Sequence, residues 1–170
     1  LDDIEEAKNN FDKVTEIDQN FARAYFNKAK LLTSPDDFDD AKKNYETALD
    51  IDETFLEANY YLAKLHLGGK ATDKEGTLID LQNLEEAETH FKKVLEINPE
   101  HYKSLYNLSR IYVQKSLHKK AESILKKALS LNAEYSKAHF LYAHVLEHTN
   151  KKKEAKKHFQ LSIDYYDKNQ

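Results

Sequence analysis

Apolar residues along this chain recur in two alternating patterns, and each pattern predicts an amphipathic helix. In the first, a small residue is followed by apolar residues, as in the segment Ala24-Tyr25-Phe26. In the second, an alanine precedes a bulky residue by four positions, as Ala41 precedes Tyr45. Apolar positions at i, i+3, i+4 and i+7 form one stripe along a helix. The two patterns together therefore predict a helical hairpin.

The predicted hairpin recurs along the chain with a fixed period. Successive alanines of the second pattern are 34, 46, 34 and 34 residues apart, which gives a 34-residue period with one insertion of 12 residues. These alanines are Ala7, Ala41, Ala87, Ala121 and Ala155. Helical hairpins repeated at such a period stack on their neighbours to form a solenoid. The sequence therefore predicts an all-α repeat protein.

The period, the alanine and the aromatic residue four positions later resemble tetratricopeptide repeats over nearly the whole chain. The sequence departs from that family in two ways. Tyr25, Asn59, Leu105 and His139 stand where the family has an early tryptophan, and the family's closing proline survives only as Pro99. The resemblance implies a right-handed superhelix of about nine helices in antiparallel pairs, and it implies that the chain binds another protein.

The expected organisation is a single domain over residues 1–170, made of one partial and four full repeats. The partial repeat is a second helix at 1–21, and the full repeats are 22–55, 56–101, 102–135 and 136–169. The insertion lies in the second full repeat near 68–79 and contains all three glycines. We expect it to be a mobile surface loop. Asp80 is expected to cap a second helix whose apolar stripe includes Leu81 and Leu84.

Composition narrows the class of protein. Only 3 glycines and 2 prolines occur, which favours long helices, and the lack of cysteine excludes disulfides and thiolate metal sites. No apolar run is long enough to cross a bilayer, and no signal peptide is visible. We expect a cytoplasmic protein. Because the chain begins with Leu1, we also expect it to be part of a longer chain or complex.

Charge is distributed unevenly. Residues 1–60 hold 7 Lys/Arg and 16 Asp/Glu, whereas residues 101–170 hold 14 and 6. The resulting dipole can orient a partner or a neighbouring subunit during encounter. Two solvated faces of opposite sign are the alternative explanation.

The family resemblance implies that the first helix of each hairpin lines a concave groove. Reading i, i+3 and i+7 along those helices gives an aromatic row between two rows that are basic except at Glu57. Cations beside aromatic rings suit carboxylates, so the expected partner is a protein or peptide with acidic segments. The predicted groove residues are Arg23, Phe26, Lys30, Tyr60, Lys64, Lys103, Tyr106, Arg110, Lys137, Phe140 and His144.

Two other binding functions stay open. The solenoid could be a structural spacer that contacts neighbours in a larger assembly by its ends and edges. Some family members are co-chaperones that clamp a C-terminal carboxylate, and Asn107 and Lys137 occupy two of the five clamp positions. The other three positions lack the required polar residues, so the clamp is incomplete.

Several motifs suggest chemistry that we do not expect. His144, Glu147 and His148 match the H-x-x-E-H zinc-hydrolase pattern, but a third ligand is missing and the repeat explains their placement. The aspartates of 36–40 lack the glycine and distal glutamate of a calcium loop. The lysines of 151–157 form a small patch on an acidic protein, which argues against nucleic acid. We therefore expect no enzyme activity, no cofactor and no metal.

Overall fold

The computed structural model describes residues 2–68, 70–72, 78–80 and 82–168. Over those residues the chain forms nine α-helices, a 3₁₀ turn at Pro35–Asp37 and two short strands. The helices are α1 (Asp2–Ile17), α2 (Ala22–Leu31), α3 (Phe38–Ile51), α4 (Leu56–Gly68), α5 (Leu84–Ile97), α6 (Tyr102–Gln114), α7 (His118–Leu131), α8 (Ser136–His148) and α9 (Lys152–Lys168). The predicted all-α helical-repeat class is confirmed.

The helices form two compact units, which we call unit 1 (Leu1–Ile97) and unit 2 (Asn98–Gln170). In unit 1 each helix from α1 to α5 packs against the next, and the largest contacts join α2 to α3 and α4 to α5. In unit 2 the largest contacts join α6 to α7 and α8 to α9, and α7 also packs against α8. The strongest pairs are the predicted hairpins.

Small residues allow the helices to approach closely, as the repeat predicts. The recurring alanines of the four full repeats are 1% exposed or less, whereas Ala7 of α1 is half-buried. The buried alanines are Ala24, Ala29, Ala41, Ala48, Ala58, Ala63, Ala87, Ala121, Ala128, Ala138, Ala143 and Ala155. The bulky residue four positions after the second-helix alanine is buried in three hairpins, as Tyr45, Phe91 and Leu125. In the last hairpin Phe159 is only half-buried.

A polar side chain closes each junction between one hairpin and the next. In each junction an aspartate or asparagine Oδ1 accepts a hydrogen bond of 2.9–3.1 Å from the backbone N–H two residues later. The four residues are Asp18, Asp52, Asn98 and Asn132. This local bond stabilises a turn, so it ends one helix and sets the direction of the next.

Histidine rings form stacked pairs between neighbouring helices. The ring centroids are 6.2 Å apart in the α4–α5 pair, 4.5 Å in the α7–α8 pair and 5.0 Å in the α8–α9 pair. The pairs are His66 with His90, His118 with His148, and His139 with His158. Six of the chain's eight histidines therefore lie at helix–helix contacts.

The insertion differs from the expected irregular loop. Strand β1 (Lys70–Thr72) pairs antiparallel with β2 (Leu78–Asp80), so the two ends of the insertion form a ribbon; 73–77 lie outside the described residues. The backbone N–H groups of Glu85 and Glu86 donate to Asn83 Oδ1, at 3.2 and 3.1 Å. Asn83 rather than Asp80 therefore caps the helix, because Asp80 is still paired with Lys70 in the ribbon.

Apolar surface remains uncovered on the last helix. Ile163 and Tyr166 are 54% and 58% exposed. Among the described residues, no helix combines the length and the apolar character that crossing a membrane requires.

Candidate functional site

The predicted groove residues lie on the first helices of the hairpins. In unit 1 they occupy α2 and α4, and in unit 2 they occupy α6 and α8. The cations Arg23, Lys30, Lys64, Lys103, Arg110 and Lys137 are all exposed. The aromatic residues of the predicted groove differ in how far their side chains are buried.

In unit 1 a tyrosine lies between two lysine side chains. The Lys30 Nζ is 5.5 Å from the ring centroid of Tyr61, and the Lys64 Nζ is 5.2 Å from the same centroid. Lys64 also lies 5.8 Å from the ring of Tyr60, which stands perpendicular to Tyr61. Cations at such distances are attracted to the ring face. We call Lys30, Tyr60, Tyr61 and Lys64 the Tyr61 surface.

The predicted aromatic row is corrected at its first position. Phe26 is only 4% exposed, since its ring packs 5.0 Å from Phe55, 5.6 Å from Tyr61 and 6.0 Å from Tyr45. Its side chain belongs to the core of unit 1 and does not present a free face to a partner. Tyr61 takes the place of Phe26 beside the cations, although the i, i+3, i+7 spacing did not predict it. The signal in the sequence was the adjacent Tyr60-Tyr61 pair, with a lysine one helical turn later.

Arg23 lies at a separate point of unit 1. Its guanidinium carbon is 4.9 Å from the ring centroid of Phe55. The Phe55 ring is buried and Arg23 is exposed, so the guanidinium covers the edge of the aromatic core. This contact stabilises the position of Arg23 next to α4.

A cavity of about 300 Å³ opens beside the Tyr61 surface. Its walls combine aliphatic and aromatic groups with one cation, and they are Leu32, Thr33, Ser34, Pro35, Phe38, Ala41, Tyr45, Tyr61, Lys64, Leu65 and Gly68. Burial, and next the neighbouring Tyr61, raises the pKa of Tyr45 well above its usual value. The Tyr45 phenol therefore stays protonated and neutral at physiological pH. The cavity can take an apolar side chain.

The cations of the Tyr61 surface differ from two neighbouring lysines of the α2–α3 hairpin. Lys28 pairs with Asp12, and Lys42 pairs with Glu46 at 3.7 Å. Within the part of unit 1 that the structure describes, no carboxylate pairs with Lys30 or Lys64. Their charges are therefore available to an external anion.

In unit 2 the α6 residues form a more constrained group. Tyr106 is half-buried, and its ring packs edge-on against Tyr135 at 5.1 Å. Burial raises the pKa of Tyr106, and the charge of Arg110 opposes that shift. The Arg110 Nη1 donates to Asn107 Oδ1 at 3.2 Å, and Lys103 lies 5.9 Å above the ring of Tyr102. Lys103 therefore lies over an aromatic ring, and Arg110 is hydrogen-bonded within α6 close enough to Tyr106 to affect its pKa.

The α8 residues form an exposed aromatic edge. Phe140 is 52% exposed and lies 4.8 Å from the ring of His144 and 5.7 Å from that of Phe159. Lys137, one turn earlier, borders a cavity of about 410 Å³ that Tyr135 also lines. This combination of a cation and open aromatic surface resembles that of unit 1.

Two alternative chemistries can be placed on the structure. Asn107 is buried, and its Nδ2 donates to the backbone oxygen of Lys103 at 3.0 Å, so its amide is engaged within α6. In the H-x-x-E-H segment, His144 Nδ1 is 3.8 Å from Glu147 Oε2, while His148 stacks on His118. No cluster of three or more His, Asp or Glu side chains suited to a metal ion occurs among the described residues.

Two protein families match parts of this chain. The tetratricopeptide-repeat model matches residues 22–55, the same span as the first full repeat read from the sequence. A second model, described as anaphase-promoting complex, cyclosome, subunit 3, matches residues 78–161. No curated protein sequence matches the chain.

Solved structures share the fold at low sequence identity. A crystal structure of MamA superposes with a TM-score of 0.81 at 19% identity, covering 98% of this chain and 91% of that one. PilF of Pseudomonas aeruginosa gives 0.78 at 20% identity, covering 96% and 69%. PilW, a type IV pilus biogenesis factor, gives 0.78 at 18%, covering 98% and 71%. The chain therefore shares the helical-repeat fold of these structures, and its first full repeat matches the tetratricopeptide-repeat family.

Proposed function

We propose that this chain is a non-catalytic binding protein that holds an acidic segment of a partner protein. The observation that supports this most strongly is the position of Tyr61 between the ammonium groups of Lys30 and Lys64, with Nζ–centroid distances of 5.5 and 5.2 Å. Both lysines are exposed and have no carboxylate partner among the residues described in unit 1. A partner's carboxylates would supply the missing counter-charges.

The chemistry of the surface defines the partner more closely. An exposed ion pair contributes only about 0.2–1 kcal/mol, so two lysines alone give weak affinity. Apolar contact must supply the rest, and the cavity of about 300 Å³ beside Tyr61 offers it. The proposed ligand is therefore an extended segment in which aspartate or glutamate residues flank one aliphatic or aromatic side chain. Exposed Lys103, Arg110 and Lys137 of unit 2 are proposed to favour acidic partners in the same way.

A peptide-binding assay tests this proposal. Fluorescently labelled acidic peptides with one central leucine are titrated with the protein, and fluorescence anisotropy gives the Kd. Reversing both charges in Lys30→Glu with Lys64→Glu should weaken binding by about tenfold or more, since each lost attraction is replaced by repulsion. The control is Lys42→Glu with Lys43→Glu, which makes the same change in net charge on α3.

Equal losses of affinity in both double variants would contradict the proposal, because they would reflect net charge rather than this surface. A peptide with lysines in place of its acids should not bind. Replacing the central leucine by serine should weaken binding without changing its salt dependence. Stoichiometric zinc in the purified protein would contradict the non-catalytic role.

A structural spacer is the second candidate, and the open apolar surface of α9 favours it. Ile163 and Tyr166 are more than half exposed, which suits a contact with a neighbouring protein or domain. Charge reversal of Lys64 and Arg110 separates the two candidates. It should abolish acidic-peptide binding under the first and leave assembly intact under the second.

Recognition of a C-terminal carboxylate is a third, narrower possibility. The same assay distinguishes it, with pairs of peptides that end in a free carboxylate or an amide. Equal affinity within each pair is expected, because the Asn107 amide that the clamp requires is hydrogen-bonded within α6. The cytoplasmic location stays a prediction.

A further inference from the structure

The two units carry opposite net charge. Residues 1–97 contain 12 Lys/Arg and 23 Asp/Glu, a net charge of −11. Residues 98–170 contain 14 and 7, a net charge of +7. A chain of this kind presents a complementary surface to every other copy of itself, and such fields steer association.

In unit 2 the positive charge is concentrated at the turns inside the two hairpins. The α6–α7 turn and the α8–α9 turn share one backbone conformation, with φ of 59° at Ser116 and 61° at Asn150. In each turn the following N–H bonds the carbonyl five residues earlier, from Leu117 to Tyr112 and from Lys151 to Leu146. This helix-ending motif is the same in both hairpins. The lysines that follow each turn are therefore positioned by the same backbone conformation.

Both turns line one cavity of about 670 Å³ within unit 2. Its lining is predominantly apolar and is made of Ser116, Leu117, His118, Lys119, Lys120, His148, Thr149 and Asn150. Leu117 is 39% exposed. The Nδ1 atom of His118 is buried and has no hydrogen-bond partner, which is unusual for a polar atom in a folded protein. The cavity thus combines an unsatisfied polar atom with an apolar floor and a basic rim.

The lysines at and just after the two turns are largely free of carboxylates. Lys151 pairs with Glu122, whereas Lys119, Lys152 and Lys153 are exposed and make no ion pair within the described part of the chain. We call Lys119, Lys120, Lys152 and Lys153 the basic edge.

The corresponding turn of unit 1 has the opposite charge. It joins α2 to α3 and carries Asp36, Asp37, Asp39 and Asp40. Asp37 accepts the backbone N–H of Ser34 at 3.0 Å, while Asp36, Asp39 and Asp40 are exposed. Among the described residues, no cation pairs with these three. We call Asp36, Asp39 and Asp40 the acidic edge.

We propose that the chain associates with itself, the acidic edge of one copy docking on the basic edge of another. The aspartates face the lysines, and the α2–α3 turn lies against the cavity between the turns of unit 2. The contact joins two different surfaces, so a pair of bound copies still offers one free acidic edge, on one copy, and one free basic edge, on the other. Such an interface extends into open chains unless its rotation closes a ring.

Sedimentation velocity of the purified chain tests this over a range of protein and salt concentrations. At about 0.05 M salt, the weight-average sedimentation coefficient of the wild-type chain should rise with protein concentration. At about 0.5 M salt, the coefficient at the same protein concentration should be lower, because the charges are strongly screened. Lys119→Glu with Lys152→Glu should weaken association by about tenfold or more. Lys127→Glu with Lys157→Glu is the matched control, with the same net charge, and should behave as wild type.

A charge swap identifies the two surfaces. Asp36→Lys with Asp39→Lys should also be monomeric alone, but an equimolar mixture with Lys119→Glu/Lys152→Glu should associate, because each variant then offers the edge that the other lacks. Failure of the mixture to associate would overturn the proposal. So would a wild-type chain that stays monomeric at low salt, or basic-edge lysines that bind anionic vesicles or nucleic acid instead. Acidic-peptide binding at the Tyr61 surface is unaffected by either outcome.

Discussion

Mild acidification should destabilise the protein through His90. The Nδ1 atom of His90 is 2.9 Å from Asn59 Oδ1, and Asn59 Nδ2 donates to the backbone oxygen of Glu53 at 3.1 Å. The Asn59 oxygen therefore accepts from the His90 N–H. Burial, and next the charges of His66 and Lys93, lower the pKa of His90 from 6.5 to about 4, whereas Glu86 opposes the shift.

The size of the effect follows from the difference in proton binding. In the unfolded chain His90 titrates near 6.5, so below that pH the unfolded state binds more protons than the folded state and stability falls. One pKa unit corresponds to about 1.4 kcal/mol, and the loss at pH 5 reaches about 2 kcal/mol. Partial solvent exposure reduces this to about 1–2 kcal/mol. The stability is complete above pH 6.5 and is lost progressively toward pH 4.

The assay is urea unfolding followed by far-ultraviolet circular dichroism at several pH values between about 7.5 and 5. Aspartate and glutamate titrate mostly below this window, so histidines dominate the slope. His90→Gln keeps an amide donor for Asn59 but cannot be protonated, and it should lose about 1–2 kcal/mol less than wild type on acidification. His144→Gln, at an exposed position, is the control. Parallel curves for wild type and His90→Gln would refute the reasoning.

Three further substitutions test packing, ion pairing and backbone conformation in the same unfolding assay at neutral pH. Phe91→Ala should cost about 3–5 kcal/mol, because the ring is completely buried and leaves a cavity. Glu122→Gln should cost about 1–2 kcal/mol, since the buried carboxylate pairs with Lys151 and Lys126, whose hydrogen bonds lower its pKa. Ser116→Gly should stabilise by about 0.5–1 kcal/mol, because its φ of 59° favours glycine; a destabilised variant would contradict this.

The fold could be predicted because close helix packing requires small residues at regularly spaced positions in the sequence. Only alanine or serine fits where two helix backbones approach closely, so the recurring alanines of the four full repeats are buried to 1% exposure or less. The junctions carry a second repeated sequence feature, on which the prediction of the fold does not rest. Asp18, Asp52, Asn98 and Asn132 each follow a recurring alanine by 11 residues, and all four make the same turn.

The candidate site was predictable only in part. The rows of cations could be predicted from the sequence. Which of two neighbouring aromatic residues faces them could not, since Tyr60 and Tyr61 differ by only one position along the helix. The packing of Phe55 and Tyr45 against Phe26 decides which ring is core, and those contacts join different helices. Sequence periodicity on one helix does not contain that information.

The insertion and the histidine pairs escaped prediction for a similar reason. Asp80 and Asn83 are both good helix caps in isolation, and the pairing of Asp80 with Lys70 in the ribbon determines which one starts α5. Each stacked histidine pair joins residues at least 19 positions apart. The ribbon occurs in one repeat only, and although His90 and His158 are two periods apart their partners His66 and His139 are not, so the repeat did not predict the pairs.

Amide chemical-shift mapping is the most direct measurement of the central claim that the chain recognises acidic partners through the Tyr61 surface. The ¹⁵N-labelled protein is titrated with the tightest acidic peptide from the binding assay. The account predicts that in unit 1 the largest shifts occur on α2 and α4 around Lys30, Tyr61 and Lys64, and that they disappear in the Lys30→Glu/Lys64→Glu variant. Shifts confined in unit 1 to the exposed faces of α3 and α5 would contradict it.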